Sequence, residues 1–230
     1  MTTADNSRLP EPETAPKSIA VIETATVISL GAAVLALFLF AWIAESTSHD
    51  RARSFDLAVR TRIHEYSSPR VTKAMIVISF LGGEGLILAA ILAVVVFLCF
   101  RWRRATLWLG VTILGALVLD LALKYAFHRT RPVPFFGAAP RTYSFPSGHA
   151  LLSFCVYGVL AGLLAGRTRS RVAHVLTWTW VALLVGAIGL SRIYLGVHYP
   201  SDVIAGYLAA TLWISTLLAL DRMWTKKKRL

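Results

Sequence analysis

The stretch Ala25–Ala44, ATVISLGAAVLALFLFAWIA, decides the architecture. It carries no charge, and about 20 apolar residues are what a helix needs to cross a hydrocarbon core of roughly 30 Å. A helix is the expected form because hydrocarbon offers backbone amides no other partner. The stretch exceeds the usual signal-peptide core, and no clear small-x-small cleavage pattern follows it. It therefore reads as a first transmembrane helix, with a cleaved signal as the lesser alternative.

Similar stretches recur outward from it. Spans are expected at about Ala74–Phe100, Ala105–Phe127, from near Ser147 to the Arg167-Thr168-Arg169-Ser170-Arg171 run, Val172–Leu190 and Asp202–Leu220. The second is interrupted by Gly82-Gly83-Glu84-Gly85, which permits close packing or a kink and leaves Glu84 needing a partner or a wet cavity. Between the first two spans, Phe55, Val59, Ile63 and Tyr66 fall at helical spacing among charges, as in a helix lying along the membrane surface. The expected fold is all-α: a polytopic six-transmembrane-helix bundle with an amphipathic interfacial segment after the first helix. Residues 1–18, with Pro10, Pro12 and Pro16 among polar neighbours, read as a disordered cytoplasmic tail. Residues 19–222 form the membrane domain and 223–230 a basic cytoplasmic tail.

Hydrophobic residues make up 56% of the 230-residue chain and charged ones only 16%, which excludes an ordinary soluble domain. A net charge of +12 would point to nucleic acid in a soluble protein. Here the surplus sits in short loops and in Lys226-Lys227-Lys228-Arg229, so the reading is positive-inside anchoring against anionic lipid headgroups, with no nucleic-acid partner. Both termini are then cytoplasmic in a cell membrane. The opposing feature is the segment 45–73, whose five arginines and one lysine fall on the outer side, partly balanced by Glu45, Asp50, Asp56 and Glu65. Cys99 and Cys155 lie within apolar stretches and imply neither a disulfide nor a metal site.

Under this topology the remaining ionisable residues gather at the outer ends of spans three to six. Lys124 with Arg131-Pro132, Pro146-Ser147-Gly148-His149, and Ser191-Arg192 with His198 and Asp202 offer three cations, two histidines and a carboxylate. A phosphoryl group in transfer spreads negative charge over its oxygens and needs such positioned cations. Lys124, Arg131 and Arg192 suit that role. Ser147 and Gly148 open a helix whose free amides favour an anion. Asp202, four residues after His198, is placed to accept from one ring nitrogen and leave the other to attack phosphorus. His149 would protonate the departing oxygen and then take a proton from water. The expected reaction is a two-step displacement through a phosphohistidine, with no cofactor and no metal.

The three clusters together resemble the type 2 phosphatidic acid phosphatase (PAP2) superfamily, whose site is similar to that of vanadium haloperoxidases. Its Lys, six residues, Arg-Pro pattern is met by Lys124 to Pro132, its Pro-Ser-Gly-His by Pro146 to His149, and its Ser-Arg, five residues, His, three residues, Asp by Ser191 to Asp202. The resemblance implies a metal-independent membrane hydrolase of lipid phosphates, with His198 as nucleophile and His149 as acid and base. Undecaprenyl diphosphate is the leading substrate it implies. Phosphatidylglycerophosphate or phosphatidic acid comes next, then lipid A or transfer to another lipid, and last a vanadate-dependent oxidase. The motifs leave lipid tail and oligomeric state open.

Other polar residues receive structural readings. Asp120, one turn before Lys124, is expected to steady that lysine. His128, Arg129 and Arg141 are read as headgroup contacts in preference to a second phosphate. Tyr143, Tyr194 and Tyr199 are read as interfacial anchors. His64 and His174 receive no role.

Overall fold

The computed structural model describes residues 17–49, 51–138 and 140–227. Most of the expected N-terminal tail, Asp50, and Lys228 and Arg229 of the basic tail lie outside the described residues. Among the described residues eight helices follow in order: α1 Lys17–Ser48, α2 Arg53–His64, α3 Pro69–Leu81, α4 Glu84–Cys99, α5 Arg103–Phe127, α6 Gly148–Ala165, α7 Arg171–Tyr194 and α8 Pro200–Lys227. Among the described residues six segments are long and apolar enough to span a membrane, with α3 and α4 counting as one interrupted span, Pro69–Cys99. The last helix runs past the expected boundary at residue 222.

The helix ends follow local chemistry. Ser68 caps α3, accepting from the Val71 amide at 3.3 Å, and Pro69 occupies the first turn, where its missing N–H costs nothing. α5 stops where His128 turns left-handed at φ 46° and donates its amide to Lys124 O. α8 opens on Pro200, and Asp202 reaches back to accept from the Tyr199 amide at 2.8 Å.

α6 lies at the centre, packed on α5, α7 and α8, while α1 runs along α8. Small residues let the backbones approach: Ala116, Ala205, Ala209 and Ala210 are buried with Phe40, Leu151 and Cys155 in one core cluster. Bulky aromatic residues fit notches cut by glycine. A Cβ on Gly115 would lie 1.9 Å from the Trp213 ring, and one on Gly189 would lie 2.0 Å from the Tyr207 hydroxyl. Each ring also ties a neighbouring helix by a bond to a carbonyl, Trp213 to Thr112 at 3.1 Å and Tyr207 to Val185 at 2.7 Å. Outward faces carry exposed Leu, Val, Ile and Phe, for example Leu35, Phe38, Ile91, Leu114 and Leu183, the surface a lipid solvent requires.

The interfacial helix α2 forms, and the face it turns to the protein is polar. Asp56 and Arg60 are buried, whereas Phe55 and Tyr66 are exposed. The polar stripe is satisfied from two loops. Arg60 donates to the carbonyls of Val133 (2.8 Å) and Gly196 (3.3 Å), and its guanidinium lies over the Phe135 ring at 4.6 Å. α2 thereby clamps the α5–α6 and α7–α8 loops against each other.

Candidate active site

Beside the two loops that α2 clamps, a cavity of about 670 Å³ opens between the α3–α4 interruption, α5 and α6. Its polar end is lined by Lys124, Arg131, Gly148, His149, Arg192 and His198; the rest is an apolar lane between α4, α5 and α6, along residues such as Ile91, Val94 and Leu117. Five of the eight residues singled out in the sequence besides Gly148 thus share one wall-lined space. The other two, Ser147 and Asp202, are fully buried behind it.

His198 is 2% exposed, and its ring is fixed from both sides. Nε2 lies 2.9 Å from Arg131 Nη1, while Nδ1 faces Asp202 Oδ2 at 3.4 Å and Ser144 Oγ at 3.5 Å. A guanidinium only donates, so Nε2 carries the lone pair and Nδ1 the proton. Burial pushes the His198 imidazole down to about 4, against the opposing pull of Asp202. The ring is therefore neutral near neutral pH, and its Nε2 lone pair accepts from Arg131 at the polar end of the cavity.

Asp202 does more than orient that ring. Oδ1 accepts from Arg129 Nη1 at 2.5 Å, and Oδ2 accepts from Ser144 Oγ and from the Tyr199 amide. Its contact with His198 is the longest of the four. The loop conformation thus depends on the same carboxylate that faces the ring, which sequence spacing alone did not reveal.

Arg131 is held by its own loop. Nε donates to Thr142 O at 2.7 Å, Nη1 to Val197 O at 2.9 Å, and Nη2 to Thr142 Oγ1 at 2.9 Å. Burial lowers its pKa without discharging it. Lys124 pairs with Asp120 at 2.6 Å, as the spacing of four residues implied, and Asp120 Oδ1 is left without a partner. Arg192, buried at the end of α7, donates to Ser79 Oγ on α3. Its Nε is unpartnered, as is Ser147 Oγ, so the site retains polar atoms not consumed by the fold.

The α3–α4 interruption serves His149. A Cβ on Gly83 would come 3.0 Å from His149 Nε2, and one on Gly82 would meet Cδ2 of that ring at 3.1 Å and Ile188 at 2.4 Å. Glycine at both positions lets the broken span lie against the imidazole. At Gly148 a Cβ would meet both Asp120 and Lys124 at about 3.0 Å, so a side chain there would close the space between the α6 N-terminus and the lysine.

The reading of Arg129 as a headgroup contact is corrected. It bridges Asp202 to Asp56 (2.8 Å) and also donates to Ser201 Oγ, beneath the Tyr199 ring at 4.3 Å. Burial works against its charge, but Asp202 and Asp56 raise its pKa overall. Asp56 also accepts from the Ser201 amide and hydroxyl. Tyr194 is likewise no surface anchor: it is buried, with its hydroxyl 2.9 Å from Thr72 Oγ1. His64 is stacked on Phe135 at 4.0 Å. Among the described residues no group of three or more His, Cys, Asp or Glu converges as metal ligands would.

Residues 105–226 match the family model described as PAP2 superfamily. Phosphatidylglycerophosphatase B of Bacillus subtilis is 29% identical over 193 residues, which span 81% of this chain and 94% of that protein. An undecaprenyl-diphosphatase of Sulfolobus acidocaldarius is 34% identical over 125 residues, about half of each chain at 51% and 55%. The crystal structure of a transmembrane PAP2-type phosphatidylglycerolphosphate phosphatase from Bacillus subtilis superposes with a TM-score of 0.72 at 25% identity, covering 81% of this chain and 93% of that one.

Proposed function

The chain belongs to the PAP2 superfamily, and from that membership we propose that it removes phosphate from a membrane lipid phosphate or diphosphate by way of a phosphohistidine. The observation that carries this reading is one cavity joining His198, His149, Lys124, Arg131 and Arg192 to an apolar lane between helices. A lipid needs both halves: a cationic end for the phosphoryl oxygens and a lipid-compatible path for its tail.

Arg131 Nη1 turns from Nε2 to the phosphoryl oxygens, and His198 Nε2 attacks phosphorus while the bond to the leaving oxygen breaks. His149 gives that oxygen a proton, Lys124, Arg131 and Arg192 offset the charge on the equatorial oxygens, and the Gly148 amide donates to them, with Ser147 buried behind the α6 N-terminus. Asp202 holds the Nδ1 proton and offsets the charge that develops on the ring. Water then attacks the phosphohistidine, His149 takes its proton, the P–N bond breaks and phosphate leaves. The site end lies away from Arg101–Arg104 and Arg167–Arg171, so positive-inside orientation sets it on the outer face of a cell membrane. Phosphate release in detergent with EDTA, together with acid-labile, alkali-stable labelling of the protein by substrate, tests the reaction. Absence of labelling in a rapid quench with turnover intact would refute the covalent step.

Undecaprenyl diphosphate is the substrate we place first, in line with the Sulfolobus relative. Phosphatidylglycerophosphate is the second reading, favoured by the match along 94% of the Bacillus subtilis phosphatase. The leaving groups separate them. A departing phosphate is a weak base and needs little help, whereas a departing alkoxide needs its proton during bond cleavage. His149→Ala should therefore cost on the order of 10³-fold on a monoester and about tenfold less on a diphosphate. Equal losses would remove His149 from the acid role. The ranking of kcat/KM for the wild type decides the substrate.

A further inference from the structure

The other end of the bundle holds a larger cavity, about 790 Å³, that no step above uses. It lies where α5 begins and α6 and α8 end. α5 has 25 residues, so this cavity is about 36 Å from the site end of the same helix. Four arginines, Arg101, Arg103, Arg104 and Arg167, and one carboxylate, Asp221, line it, a surplus of three positive charges. Asp221 is engaged with Arg104 at 2.7 Å. Arg101 and Arg103 have no ion-pair partner among the described residues, and Arg167 lies over the Trp102 ring at 3.6 Å.

Below this cationic rim the walls are lipid-like. Trp102 lies beside Arg167 of the rim, and Trp108 and Trp178 line a groove with Gly158 and Gly162 of α6 and Ile214 and Leu218 of α8. The groove is open at its glycines: a Cβ on Gly162 would find its nearest neighbour, Trp178, only at 4.0 Å. A cationic rim at a membrane surface above an apolar slot is complementary to one molecule in particular, an amphiphile with an anionic head and a hydrocarbon tail.

We infer that this end binds an anionic phospholipid of the leaflet opposite the site, with its headgroup phosphate among Arg101, Arg103 and Arg167 and an acyl chain in the groove over Gly158 and Gly162. Arginine suits the phosphate because its planar fork donates two bonds at once. The tryptophans cover the glycerol level, where amphipathic rings settle. The site is separate from the phosphatase reaction and does not depend on it.

The tryptophans also supply the test. None of the residues lining the catalytic cavity is tryptophan, so quenching by a brominated lipid does not report on a lipid held there. The full chain is placed in nanodiscs with bromine-labelled acyl chains on either phosphatidylglycerol or phosphatidylcholine. Phosphatidylglycerol should quench more strongly, and titration should show roughly 30-fold enrichment for two arginine contacts at about 1 kcal/mol each. Arg101→Gln/Arg103→Gln should bring the two lipids to parity while phosphate release stays at the wild-type rate. Gly162→Leu fills the groove, favours helix, and should reduce the phosphatidylglycerol excess with all arginines present. Neutralising Lys226, Lys227 and Lys228 should leave the excess intact. Equal quenching by both lipids in the wild type would overturn the inference. So would an excess that survives both the arginine and the glycine variants, or one that disappears with the tail lysines.

Discussion

The two ends of α5 hold the same kind of ion pair in opposite settings. At the site end, Lys124 and Asp120 meet at 2.6 Å with side chains only 12% and 10% exposed. At the other end, Arg104 and Asp221 meet at 2.7 Å with exposures of 71% and 32%. The geometry is alike, but water is excluded from one and bathes the other. A buried charge that loses its partner has nowhere to be solvated, whereas an exposed one turns to water. The consequence is an asymmetry. Charges under α2 hold one another in place and define a site, and charges at the far end stay free to meet whatever lies at the membrane surface.

The largest effect comes from His198. His198→Ala removes the attacking lone pair but deletes only a ring from a loop held by Asp202, Arg129 and Arg131. Turnover should fall by on the order of 10⁴-fold or more, with thermal unfolding in detergent close to wild type. Retained turnover would break the assignment of the nucleophile.

Arg129 comes next, because it is where fold and site are hardest to separate. Arg129→Met keeps the volume but leaves Asp56 and Asp202 facing each other without their shared cation. Breaking a buried pair typically costs about 3–5 kcal/mol, so unfolding should shift far more than for any substitution at the opposite end. Arg129→Lys, which restores charge but not the fork, should recover part of both stability and turnover. A Met variant with unchanged stability would show that the network under α2 is incidental.

These residues also mark how far the sequence could be read. That Lys124, Arg131, Gly148, His149, Arg192 and His198 would converge was legible because ionisable groups at the ends of apolar spans have no cheap structural explanation. Asp56 and Arg129 were not, because they meet 73 positions apart in sequence. Each has an ordinary reading where it stands, as an interfacial acid or a headgroup arginine. The periodicity of α2 announced a two-sided helix, but not which side faces inward. That choice is made by Val133, Gly196 and Ser201, which offer partners to Arg60 and Asp56. The interruption of the second span was legible at Gly82-Gly83, whereas the imidazole it accommodates was not.

The pH response sharpens the contrast in a graded way. The His198 imidazole sits near 4 because burial outweighs the pull of Asp202. Its attacking form is neutral, so that form persists from neutral pH down toward 4 and is lost as pH falls through that value. An unshifted histidine would be lost near 6.5. The sign for stability is the same: the unfolded chain takes up a proton below about 6.5 that the folded ring refuses, so acid destabilises the fold across that interval. An NMR titration of labelled His198 in the free protein checks this directly. Asp202→Asn removes the carboxylate that favours the imidazolium, so the midpoint should move lower still, and a midpoint near 6.5 in wild type would mean the ring is solvated.

The smallest effect belongs to the exposed pair. Asp221→Asn removes the carboxylate of a bond that water can replace, so stability should change by about 0–1 kcal/mol and phosphate release not at all. The substitution also frees Arg104 and raises the cationic surplus of the far cavity from three to four. If that cavity recruits an anionic phospholipid, Asp221→Asn should increase the preference for phosphatidylglycerol over phosphatidylcholine in the quenching measurement, opposite in sign to Arg101→Gln/Arg103→Gln. A loss of several kcal/mol instead would mean that Arg104 and Asp221 hold α5 against α8 as Lys124 and Asp120 hold the site, and the two ends of the helix would not differ in kind.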